Sequence, residues 1–404
     1  MTDDVVGPPD PDGPAPRPGR IKRLRTWWAG DAPTTPRERA RSRAINRGVA
    51  AGMGLIFVGS LLRVPFLIMS PGPTYNTIGE VNGEPMIVVT GTTTYPTEGN
   101  LDMTTVGERG GSGGVTIGQA LVGWVVPDRA LVPRESVYGP ETGEEVTERN
   151  DQLFALSKSD SIAAAMAELG IPTEESVVVT LVVGGSPADG ILETGDVILT
   201  VDGKAVTEPA DVGRLVRQHE VGETVRVEVL RTEPDGGEQE RLQLDVVAGA
   251  GKPSAAAPDA PAQPYLGVGV STVHEAPFDI EFTLENVGGP SAGLMFSLAI
   301  VDKLTKGFLN GGRHVAGTGT ITPEGKVGPI GGIRQKLLGA RAAGAELFLA
   351  PHGNCSEVVG HVPDGLTVVP VETLSDAREV VGKWVADPSS RFPTCQQVAE
   401  SATG

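Results

Sequence analysis

Residues 288–293 read Gly-Gly-Pro-Ser-Ala-Gly at the mouth of a long apolar helix. No other junction constrains the C-terminal part of the chain as much. It fixes a helix start, and it leaves Ser291 beside free backbone N–H groups at the positive end of the helix dipole, where an oxyanion can be held. Further along, Lys336 falls on the apolar stripe of another helix. If that helix starts near Gly332, then Ile333, Lys336, Leu337 and Ala340 share one face while Arg334, Gln335 and Arg341 point elsewhere. The pair reads as a serine nucleophile with a lysine base. At a pKa near 10.4 only about one lysine in a thousand is neutral at about pH 7.4, but burial lowers that pKa by roughly 3 to 5 units. The blander alternatives are a helix-capping serine in a close-packed glycine turn and a snorkelling lysine with an exposed tip.

The chain has 404 residues, enough for two or three domains, and its 39% hydrophobic and 21% charged residues are a globular balance. Net charge is −18, unevenly placed: residues 1–47 hold ten Lys and Arg against six acids, so the acidic excess lies in the body. That argues against nucleic acid as a partner of the main body. The five histidines and two cysteines show no metal-ligand spacing, so neither a metal nor a cofactor is expected. Cys355 and Cys395 suit an oxidising exterior and would close a loop worth roughly 4 kcal/mol if bonded; two free thiols are the alternative.

Met1–Gly19 is rich in Pro, Asp and Gly and reads as a disordered tail, and residues 1–47 together read as a disordered basic cytoplasmic tail. Arginines from Arg20 to Arg47 precede an apolar stretch, residues 48–69, long enough to cross a ~30 Å hydrocarbon core as a helix. The one-sided charge predicts a cytoplasmic N-terminus and an external body. Arg63 and Pro65 interrupt the stretch, so its first part is expected to end near Leu62. A cleaved signal peptide is the competing reading, disfavoured by the long basic region and the lack of an Ala-x-Ala-type site.

Beyond the turn at Pro71-Gly72-Pro73, Met86–Thr90 and Asp102–Val106 read as strands, and Val115–Val126 and Ser159–Leu169 as helices. From Ser176 the texture changes. A strand-like run, Val177–Val183, precedes Gly185-Ser186-Pro187-Ala188; Gly195-Asp196 turns into Val197-Ile198-Leu199; Asp202-Gly203 makes a hairpin turn; a helix spans Asp211–Gln218; and Thr224–Leu230 alternates. This order resembles a PDZ domain over residues 174–248, which implies a groove that takes a peptide strand or terminus. No Gly-Leu-Gly-Phe-like segment precedes Val177, and Tyr265-Leu266-Gly267-Val268 falls after the domain. Residues 249–264, rich in Ala and Pro, read as a linker. Strands and helices then alternate, from Phe278–Leu284 through Thr367–Val371.

Gly289-Pro290-Ser291-Ala292-Gly293, then Thr318-Gly319 with Ile321, then the run from Pro329 to Leu338, resemble in order and spacing the proteolytic domain of the Lon family, over about residues 278–351. The resemblance implies Ser291 as nucleophile, Lys336 as general base and Thr318 as the threonine that supports the lysine. The chain departs from the family pattern at Gly288 and Thr320, where the family often has acids. No Gly-x-x-x-x-Gly-Lys-Ser/Thr motif occurs, so no ATP-driven motor is expected. Glu98-Gly99-Asn100-Leu101 with Thr104-Thr105-Val106 resembles the beginning of the same domain.

The expected fold is therefore α+β: one transmembrane helix (48–69), then a Lon-like proteolytic domain in two parts (70–173 and 265–404) with a PDZ domain inserted. The implied function is an ATP-independent serine endopeptidase anchored in the cell membrane and acting outside the cytoplasm on protein or peptide substrates. Ring assembly, a homo-oligomer, is implied by the resemblance alone. A catalytically silent PDZ adaptor or chaperone and a self-processing protein are the alternatives.

Overall fold

The computed structural model describes residues 36–139, 143–232, 239–251, 261–284 and 287–402. The tail expected over Met1–Gly19 lies outside them. Helix α1 spans Pro36–Ser60, so residues 36–47 are helical rather than part of a disordered segment. Its described side chains Val49, Met53, Phe57 and Val58 are exposed. The expected transmembrane helix over residues 48–69 does not form as one element. The helix stops at Ser60, strand β1 runs from Phe66 to Asn76, and Leu67 and Ile68 are buried in a sheet. Pro65 disfavours helical geometry at the residue before it and lacks the N–H that an interior helical residue donates. Among the described residues no helix is long and apolar enough to cross a membrane.

Two further strands follow, β2 (Asn100–Arg109) and β3 (Ala130–Pro133). Helix α2, Gly143–Leu169, begins 16 residues before the apolar face expected at Ser159–Leu169, because its polar first half extends the same helix. Strands β4 (Glu174–Val182) and β5 (Val197–Val201), helix α3 (Pro209–Val216), and strands β6 (Thr224–Thr232), β7 (Gln239–Val247) and β8 (Val268–Glu275) come next. The chain continues through α4 (Gly293–Leu304), β9 (His314–Gly317), α5 (Ile333–Ala343), β10 (Leu347–Pro351), β11 (Thr367–Val371) and α6 (Leu374–Ala386).

These strands form two main sheets. One has the order β11-β10-β9-β2-β1-β3, parallel from β11 to β2 and antiparallel beyond, and draws its strands from both sides of the β4–β8 segment. Strand β10 is buried at every residue, as expected of a parallel strand covered on both faces. Helix α4 is buried from Gly293 to Asp302 and forms the centre of the largest core, with Met103, Phe154, Ile321 and Leu349.

The other sheet is antiparallel, in the order β7-β6-β5-β4-β8, with the short strand Lys204–Ala205 added to β5. Asp202 and Gly203 both have positive φ, 51° and 72°, as a two-residue hairpin turn of type I′ requires. Strand β8 pairs with β4 along its length. The PDZ-like sheet thus extends past the expected limit at residue 248, and the run Tyr265-Leu266-Gly267-Val268 leads into it, with Val268 starting β8. Leu266 is buried in its core, its carbonyl accepts the Ala188 N–H at 2.9 Å, and Gly267 O accepts the Val183 N–H at 2.8 Å. Within the expected linker, Gly249–Ala250 pairs with Pro264–Tyr265, and residues 252–260 lie outside the described set.

Candidate active site

Each residue that approaches Ser291 is held by a different local device. The turn at residues 288–292 leads into α4, and Gly289 adopts a positive φ of 84° there. The Ser291 carbonyl accepts the Thr318 Oγ1–H and the Gly319 N–H, each at 2.9 Å, while the Leu294 N–H donates to Gly319 O at 3.2 Å. The Ser291 turn is therefore fastened directly to the segment that follows β9.

Helix α5 carries Lys336, and its start is set by Gly332. That residue has φ of 71°, and a Cβ there would lie 2.7 Å from Val106 Cγ2 of β2, so a side chain would both strain the backbone and push the helix off the sheet. With the helix in place, Ile333, Lys336, Leu337 and Ala340 are all buried, the stripe expected from their spacing. Gln335 is buried as well, whereas the stripe had placed it elsewhere.

Lys336 is 3% exposed, and its Nζ lies 2.7 Å from Ser291 Oγ and 2.9 Å from Thr318 Oγ1. Burial pushes the lysine pKa down to about 7, because an ammonium removed from water loses hydration. The fold thus brings Ser291, Lys336 and Thr318 within hydrogen-bond reach of one another. A serine hydroxyl beside an amine that is neutral near pH 7 can be deprotonated as it attacks a carbonyl.

Ser291 and Lys336 line a cleft of about 470 Å³, where they are flanked by Met69, Tyr75, Met103 and Val287; Thr318 is fully buried behind them. Asn150 of α2 also lines the cleft. Neither the apolar wall nor Asn150 was visible in the sequence, since Met69, Tyr75 and Met103 come from β1 and β2 and Asn150 from a helix more than a hundred residues before the serine. At the two departures from the expected pattern, a Cβ on Gly288 would lie 2.9 Å from Asn150 Cβ, and Thr320 starts a short antiparallel pairing with Val327–Gly328. Among the described residues no group of His, Cys, Asp and Glu could hold a metal ion.

Cys355 and Cys395 form a disulfide. Both belong to the small core that includes Ile333, Leu337 and Ala340, the buried side of the helix carrying Lys336.

Comparison with known proteins bears on both sheets. Residues 286–382 match the family model described as the Lon protease (S16) C-terminal proteolytic domain, and residues 149–246 match that of the PDZ domain. The Lon protease of Buchnera aphidicola subsp. Schizaphis graminum is 37% identical over 95 residues, covering 23% of this chain and 12% of that protein. Lon protease 2 of Herpetosiphon aurantiacus is 40% identical over 106 residues, covering 26% and 12%. The chain thus spans about an eighth of the length of these relatives. The crystal structure of the PDZ domain of the SdrC-like protein from Listeria innocua aligns with 24% of this chain and 92% of that one, at 22% identity and a TM-score of 0.19. By these matches residues 286–382 are similar to a Lon-type proteolytic domain and residues 149–246 to a PDZ domain.

Proposed function

We propose that the chain is an ATP-independent serine endopeptidase that works outside the cytoplasm, with Ser291 as nucleophile, Lys336 as general base and Thr318 as the group that orients the lysine. The single observation that carries this reading is the buried Lys336 amine 2.7 Å from Ser291 Oγ. Neutral Nζ takes the hydroxyl proton as Oγ bonds to the scissile carbonyl carbon. Backbone N–H groups around Ser291, at the start of α4, hold the resulting oxyanion. The C–N bond then breaks as the lysine returns the proton to the leaving amine, leaving an acyl ester on Ser291. Water attacks that ester, Lys336 again taking and returning a proton, and the acid product departs.

The apolar cleft wall favours an apolar substrate side chain next to the scissile bond. A substrate strand would pair along Ile280–Phe282, whose other side is bonded to Ile87–Val89. The PDZ domain would select or present chains at the edge strand β8, beside α3.

The disulfide supports an oxidising compartment. Association with a membrane is supported by the exposed apolar side chains of α1 and by Leu121, Val122, Trp124 and Val125, exposed together on the helix Ile117–Val125. Assembly into a homo-oligomer belongs to the same reading and is checked by mass in solution.

The test compares the full chain with Ser291→Ala and Lys336→Ala on an unfolded protein, followed by mass spectrometry. Cleavage by the parent chain alone supports the proposal. Equal turnover by all three overturns it, and cleavage confined to the chain itself turns the reading to self-processing.

A further inference from the structure

Helix α2 joins the two folded parts of this chain, and one of its faces lies on the nucleophile turn. The carbonyl of Asn150 accepts the Gly289 N–H at 2.8 Å, and its Cβ occupies the space a side chain at residue 288 would need. Two turns on, Ser157 Oγ donates to the Pro290 carbonyl at 3.1 Å, and a Cβ on Gly293 would come within 3.0 Å of the same oxygen. The Phe154 ring packs 5.9 Å from that of Phe296, and the Ser161 carbonyl accepts the Ser297 hydroxyl at 3.2 Å. Positions 150, 154, 157 and 161 recur at helical spacing, so one stripe of α2 grips residues 289–297.

A neighbouring position on α2 faces the PDZ sheet. Ser159 Oγ accepts the backbone N–H of His274 at 2.8 Å, and His274 lies in β8, the edge strand of that sheet. Both residues are buried. The strand that would border a docked peptide therefore bonds to the same helix, two residues from the serine that holds Pro290.

We infer that α2 positions the nucleophile turn, with Asn150 as a positioning residue acting through Gly289, and that it transmits the state of β8 to Ser291. This rests on the peptidase reading. It explains a departure from the family pattern: residue 288 is glycine because Asn150 fills the space where an acidic side chain would go. It also gives the PDZ domain a route to rate as well as to substrate capture. A peptide strand added along β8 would shift β8 against Ser159, and the shift would reach Pro290 through the rigid turns of α2.

The experiment measures covalent labelling of Ser291 by a small fluorophosphonate, which needs an activated serine but no peptide binding, together with kcat and KM on a peptide substrate. Gly288→Ala is expected to slow labelling at least tenfold and to lower kcat with little change in KM. Adding Asn150→Gly should restore labelling to within about threefold of the parent, a rescue that simple loss of structure does not produce. Ser159→Ala, away from the cleft, should slow labelling at least threefold while thermal unfolding stays cooperative. Failure of Asn150→Gly to rescue Gly288→Ala overturns the positioning role, and equal labelling of Ser159→Ala and the parent overturns the link to β8. In both cases a labelled parent leaves the peptidase reading standing, whereas an unlabelled parent removes the two together.

Discussion

Lys336 Nζ lies 2.7 Å from Ser291 Oγ, although the two stand 45 positions apart in the chain. Two independent constraints produce the approach. Gly332 lets α5 start hard against β2, and the Thr318 and Gly319 donors pull the Ser291 carbonyl toward the end of β9. A lysine in such a place is costly while charged, and that cost is what makes it useful as a base.

The first prediction is a pH profile. With the Lys336 pKa at about 7, kcat/KM should fall about tenfold per unit as pH drops below 7 and level off above about 8. Stability carries the same sign. The unfolded lysine keeps its proton to about pH 10.4 and the folded one to about 7, so folding becomes more favourable as pH rises between them. Lys336→Met should therefore be more stable than the parent at pH 6, with the gap narrowing toward pH 10. Denaturant midpoints at the two pH values check this, and a gap independent of pH would contradict it.

Thr318 is fully buried, and its hydroxyl makes two bonds, donating to Ser291 O and accepting from Lys336 Nζ. Thr318→Val keeps the shape and removes both. We expect kcat to fall about ten- to a hundredfold, or about 1.4–2.7 kcal/mol, with KM nearly unchanged. Thr318→Ser should recover most of the loss. Steady-state kinetics on one peptide decides it, and a Val variant as active as the parent would remove the orienting role.

The geometry around Ser291 was legible because each part leaves a local trace: a glycine-proline turn before an apolar helix, and a lone lysine on a buried stripe. What was not legible depends on distant chain. Asn150 holds Gly289 through a backbone carbonyl, which any residue possesses, so side-chain identity carries no signal. Strand β8 joins the PDZ sheet across residues that read as linker and follows the other strands of that sheet in the chain, so reading in order assigned it to the next domain. Residues 66–69 were placed in a membrane helix because an apolar run suits a buried strand equally well. Arg63 and Pro65 did mark the break, placing the end of the first part near Leu62, two residues beyond the helix end at Ser60. The interruption of one sheet by the other was legible from the segment at residues 98–106, which supplies β2 beside β9.

The Cys355–Cys395 bond should matter to both stability and rate, since the closed loop spans 40 residues and the sulfurs sit in the core behind Lys336. Replacing both cysteines with alanine is expected to cost about 2–4 kcal/mol of unfolding free energy. A looser core under α5 should also lower kcat, because small displacements of a general base weaken proton transfer. Denaturant unfolding with and without reductant tests the first part, and the double variant's kinetics test the second. A double variant as stable as the parent would show that the link contributes nothing.

Asp160, on α2 near β8, offers a test of electrostatics away from the cleft. Burial raises its carboxyl to about 6, nearby His274 opposes the rise, and Glu324 adds to it. An acid with a raised folded pKa binds its proton more tightly folded than unfolded. Its effect on stability is thus absent below about pH 4, grows unfavourable from there to about pH 6, and stays so above. Asp160 is partly exposed, so solvent screening reduces the cost to about 1 kcal/mol at neutral pH. Asp160→Asn should therefore raise the urea midpoint at pH 7.5 and leave it unchanged at pH 3.5. A variant destabilised at pH 7.5 would mean that the carboxylate is favourably paired there, and that His274 outweighs burial.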